Sequence, residues 1–189
     1  LNNPNIARQE LQQVEQLAKE EGQAFGTGGA AGALRAITVM RNQTNVISNW
    51  QEQQAAFRQA TKAYAMTTPE EMDPEALGTL SAAVLHVQAA KKREGKPLSA
   101  EKALELVLSH GETTGGSLLE QSAAVATVAA MSGEDAPVEE QLALLGVGSS
   151  QFADPSGDKT ATAIVNLIKN MQKGEVKIGK RRAKIIKGT

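Results

Sequence analysis

Cysteine is absent from this chain, and aromatic residues are almost so: one Trp, one Tyr and three Phe among 189 residues. The first absence excludes disulfides, thiol nucleophiles and Cys-ligated metals, while leaving the compartment open. The second thins the core. Ala, Leu and Val carry most of the 41% hydrophobic content, and burying Ala gains little area at roughly 25 cal/mol per Å². Such a core calls for closely packed small-residue helices, or for a protomer that completes its packing against neighbours. Histidine is scarce as well. His86 and His110 stand far apart in sequence, with no Asp or Glu at the spacing of a zinc site. The sequence therefore names no metal and no cofactor.

No run of about 20 apolar residues, as a transmembrane helix needs, occurs anywhere. Nor does the charged-then-apolar opening of a signal peptide follow Leu1. Leu1 itself fits a processed product, a fragment or a start codon read as Leu. The pattern leaves the location undetermined, with a virion or the cytoplasm among the options.

What the chain does have is sorted charge. From Lys169 to Thr189 there are eight Lys/Arg against the single acid Glu175, a local balance of +7. The first 168 residues carry a balance of −8, and Ala103 to Asp158 holds nine acids without one Lys or Arg. The net charge of −1 thus conceals an acidic body and a basic tail, able to hold a polyanion or an acidic protein surface.

Apolar residues recur at helical spacing through most of the body. The pattern predicts helices over about 5–24, 30–40, 45–66, 74–93, 99–109, 117–131, 137–145 and 158–172. The expected fold is all-α, with seven or eight helices in a bundle or array. Asp73-Pro74 reads as an N-cap followed by Pro at the first helical position. The Ala-rich helix 117–131 is expected to be the most buried. Two interruptions stand out: a hinge at 26–32, rich in Gly, and a long loop at 146–158. The division expected is a helical body, 1–172, and a basic arm, 173–189. Interleaved bases and β-branched residues in the arm suit a short strand or hairpin, or an extended segment ordered by a partner.

Several local patterns have the outline of a site. Gly26-x-Gly28-x-x-Ala31 loosely matches a dinucleotide fingerprint, but that chemistry requires a preceding strand, and here a helix precedes it. Residues 24–40 are apolar enough to consider for membrane contact, with Gly28 and Gly32 spaced for close helix approach; their glycine content gives weak insertion drive. His110 at a predicted helix end suits the helix dipole, and His86 reads as a core residue. Glu112 is the one carboxylate worth naming as a lone general acid, in an alternative reading as an enzyme. Trp50, Phe57 and Tyr64, seven apart on one helical stripe, make a core or a subunit interface.

The strongest signal is the arm itself. Lys173, Lys177, Lys180, Arg181, Arg182, Lys184 and Lys187 form a partner-binding set. They suit an acidic protein surface, including the 103–158 region of another copy, or, as an alternative, nucleic-acid phosphates. No aromatic in the arm offers base stacking. The composition as a whole suits a non-enzymatic assembly protein that forms homo-oligomers and joins other subunits, of the kind found in bacteriophage virions or similar bacterial machines.

Overall fold

A computed structural model describes residues 4–44, 46–67, 72–114, 118–133, 136–154, 156–173, 175–178 and 181–184. Side chains are described over 8–44, 46–66, 72–110, 121–133, 136–154 and 156–173. The body is all-helical. Helix α1 (Pro4–Glu21) leads through a 3-10 segment (Gly22–Gly28) into α2 (Gly29–Thr44). Then follow α3 (Trp50–Thr67), α4 (Pro74–Arg93), α5 (Ala100–Thr114), α6 (Leu118–Met131), α7 (Val138–Gln151) and α8 (Asp158–Gln172). In the arm the backbone of Glu175–Ile178 (β1) runs antiparallel to Arg181–Lys184 (β2). The side chains of Lys177, Lys180, Arg181, Arg182, Lys184 and Lys187 lie outside the described residues.

Local chemistry sets the helix ends. The Asp73 carboxylate accepts from the Glu75 N–H at 3.0 Å, and Pro74 opens α4 with its φ already helical. Helix α3 starts at Trp50, later than the 45 expected from periodicity, because Asn49 forms a capping box. Its Oδ1 accepts from the Glu52 N–H at 3.0 Å, and the Asn49 N–H donates back to Glu52 Oε2 at 3.1 Å.

Helix α4 lies at the centre, packed against α2, α3, α5 and α6 and touching α7 at its end. Every residue from Ala76 to Leu85 is buried. This corrects the expectation that 117–131 is the most enclosed helix, since α6 keeps Ala123, Thr127 and Ala130 exposed along one face. What lets α4 take neighbours on all sides is its small residues. A Cβ on Gly78 would lie 2.6 Å from both the Ala36 carbonyl oxygen and Val39 Cβ, so α2 can approach α4 only across a glycine.

The two glycine-rich interruptions resolve differently. Gly26 (φ 52) and Gly29 (φ 49) occupy left-handed backbone where α1 gives way to α2. The turn therefore spans the residues before 30, and Gly32 lies inside α2 under the Phe25 ring. The expected loop over 146–158 is shorter than predicted. Helix α7 continues through Gly146 and Gly148 to Gln151, because Gly148 is a contact point: a Cβ there would stand 2.4 Å from Thr160 Cγ2 of α8.

Candidate interaction surface

The aromatic stripe turns inward. Phe57 is fully buried, while Trp50 and Tyr64 are partly buried against the same core. The Arg41 guanidinium sits 5.5 Å from the Trp50 ring centroid and reaches Glu10 of α1 at 3.3 Å. The stripe thus binds α3 to the N-terminal helices.

His110 is buried within α5, which runs on to Thr114. Burial pushes its imidazole below the ordinary value, opposed by a hydrogen bond with the Leu142 backbone. The expected imidazolium at a helix end is replaced by a neutral ring tying α5 to α7. His86 is half-buried and likewise lowered, first by burial and then by Arg93, against a backbone hydrogen bond with Gln43.

Sequence reading assigned Lys91-Lys92-Arg93 only to the helix dipole. In three dimensions each base engages a different helix. Lys91 is buried, and its Nζ lies 2.6 Å from both Glu94 Oε2 and Glu139 Oε1 of α7. Burial lowers the Lys91 pKa, and the two carboxylates outweigh it, so the net shift is upward. Lys92 pairs with Glu52 of α3. Arg93 donates to the carbonyls of Ser132 at 2.8 Å and Ala129 at 2.7 Å, closing the end of α6. A second polar clip holds α8. Buried Asp154 accepts from the Thr160 N–H at 3.0 Å and the Thr160 hydroxyl at 3.1 Å. The Thr160 N–H leads the contributions that hold its carboxyl below the usual range.

These polar groups serve the fold. Among the large apolar side chains that face water, three lie on α7 or just beyond it: Leu144 is 48% exposed, Val147 63% and Phe152, in the turn beyond, 77%. Beside it a groove of about 550 Å³ runs between α5 and α7, with Leu106, His110, Leu142, Ala143 and Val147 among its walls. On α8, Leu167 and Met171 are also exposed. Sequence reading missed this surface, although 137–145 was expected as a helix. The unexpected turn through Gly148 is what completes it. A second groove, between α1 and α3, is lined by Gln9, Gln12, Gln13, Gln16 and Gln54 with Glu20 and Arg58. It is closed at one end by the 2.7 Å Arg58–Glu20 pair.

The remaining patterns find no constellation. Gly26 to Ala31 follows α1 and the 3-10 segment, without the strand a nucleotide loop requires. In α2, Gly32, Ala33, Ala36, Ile37 and Met40 are buried against the protein's own core. Among the described residues no helix is long and apolar enough to cross a membrane, and no three His, Asp or Glu side chains group to hold a metal. The backbone of Glu112 lies in α5, and its side chain is outside the described residues. Lys173 is exposed at the end of α8. No known family, curated protein or solved structure matches this chain.

Proposed function

We propose that this chain is a non-enzymatic assembly protein, whose copies join one another and other subunits in a larger particle such as a bacteriophage virion. Its basic C-terminal arm, from Lys173 through Lys187, is the docking element, and an acidic protein surface is its target. The observation carrying this reading is the charge sorting: a +7 tail follows a stretch, Ala103 to Asp158, that contains no Lys or Arg. The exposed Leu144, Val147 and Phe152 add apolar area within that stretch of the kind interfaces use.

Sedimentation of the full chain and of a chain lacking residues 173–189 tests the proposal. The full chain should assemble at micromolar concentration and the shortened one should not. Assembly unaffected by the deletion, or a monomer in both cases, overturns it. A nucleic-acid partner is the alternative favoured by the density of bases alone. On that reading, changing Lys180, Arg181 and Arg182 together to Ala flattens the salt dependence of DNA binding.

A further inference from the structure

We infer that the groove between α5 and α7 is the seat for the C-terminal arm of a second copy. This rests on the arm-docking reading above and gives it an address. The groove lining includes the apolar Leu106, Leu142, Ala143 and Val147 beside Ser109, Ser150 and Gln151, with buried His110 among them. One acid, Glu139, lines the groove, where it also pairs with Lys91, and exposed Glu105 on α5 and Glu140 on α7 adjoin lining residues in sequence. Lys91 and Lys96 stand near Glu139 at one end of the groove, and in sequence no Lys or Arg occurs from Ala103 to Asp158.

The arm has the matching composition. Val176, Ile178, Ile185 and Ile186 alternate or adjoin with Lys177, Arg181, Arg182, Lys184 and Lys187. A strand of that alternating pattern, as in β1, offers aliphatic groups to the groove and cations to its rim. Two grooves facing each other would instead oppose acid to acid, which disfavours a symmetric pairing. The chain's own arm starts elsewhere. Helix α8 packs on α6 and α7, and its last residue, Gln172, borders Arg93, Ala130 and Met131. The arm therefore departs beside the end of α6. A donor arm and an acceptor groove at different places on one chain give a head-to-tail contact, which propagates into rings or filaments.

The lack of native cysteine makes the test direct. Val147→Cys, at an exposed position, is coupled to a benzophenone maleimide in the full-length chain and mixed with isotope-labelled unsubstituted chain. Illumination should join position 147 to labelled peptides from residues 173–189. The same reagent on Leu11→Cys, exposed on α1, should not. Glu140→Lys should weaken self-association roughly tenfold without changing thermal stability. Cross-links confined to the unlabelled chain's own arm overturn the second-copy assignment. Assembly that needs the arm yet ignores Glu140→Lys and gives no cross-link at 147 overturns the groove while sparing the arm reading. A full chain that stays monomeric overturns both.

Discussion

Replacing Lys91 with Met removes the cation that joins the end of α4 to the start of α7. The Lys91 and Glu94 side chains are each 5% exposed, and the ammonium lies 2.6 Å from Glu94 and from Glu139. Without it, Glu94 is left as a buried carboxylate whose Oε1 still accepts from the Val138 N–H at 2.7 Å. Breaking a buried pair on one side costs about 3–5 kcal/mol, and the surviving backbone donor places this case near the lower end, about 3 kcal/mol. Glu139 is 48% exposed, so Glu139→Gln should cost under about 1 kcal/mol. For a chain of this size the Lys91→Met loss corresponds to a fall in Tm of roughly 6–12 °C. Urea unfolding followed by the fluorescence of Trp50, the single tryptophan, measures both variants. The pH dependence adds a second check. Because the folded Lys91 pKa is raised above its ordinary 10.5, its stabilisation is complete below that value and is lost as pH rises through the folded value. The wild-type chain should lose stability there and Lys91→Met should not. A loss below about 1 kcal/mol, or equal losses for Lys91→Met and Glu139→Gln, refutes the assignment of the triad as a buried clasp.

Gly78→Ala should destabilise by about 1–3 kcal/mol despite the better helix propensity of Ala, because α2 backbone occupies the space of the new methyl; a stabilised variant in calorimetry refutes the close approach. Asp154→Ala should cost about 1 kcal/mol, seen as faster amide exchange in the first turn of α8. Since the Asp154 carboxyl is lowered from 3.8, its contribution is present above that value and disappears as pH falls through the folded one, so mutant and wild type should converge in acid. His110 has a folded pKa below 6.5, so its contribution is full above that value and falls as pH drops below it. His110→Gln should flatten the fall of stability below pH 6.5, by at most about 1.4 kcal/mol per pH unit; an unchanged slope in equilibrium unfolding refutes a buried neutral ring.

Periodicity and capping chemistry placed most of the body's helices, and α4 began and ended where Asp73-Pro74 and Gly95 indicated. Glycine was the least legible residue. Gly148 has the composition of a loop and the role of a helix contact, and only the position of Thr160 distinguishes the two. The reverse held at Gly26 and Gly29, where a break in the pattern did mark left-handed backbone. The rank order of burial was also hidden. Helix α6 is richer in apolar residues, but burial depends on how a helix is surrounded, and the small residues of α4 admit five neighbours, α2, α3, α5, α6 and α7, against four for α6. His110 was misassigned because the helix end was set too early, which turned a buried tie into a terminal charge. Lys92 and Arg93 carried no local signal, since their partners lie on other helices, and of the two partners of Lys91 only Glu94 is near in sequence. The groove between α5 and α7 escaped notice for the same reason: its two walls are separated by the whole of α6.

The placement of α8 bears on how this chain would carry force. Any tension applied to the arm enters through the last turn of α8, which packs on α6 and α7, while the most enclosed helix, α4, lies further in. The anchor resisting such a pull is the start of α8, pinned by the Asp154–Thr160 hydrogen bonds and the seat of Thr160 against Gly148. A load on an arm-mediated joint would peel α8 before straining the centre.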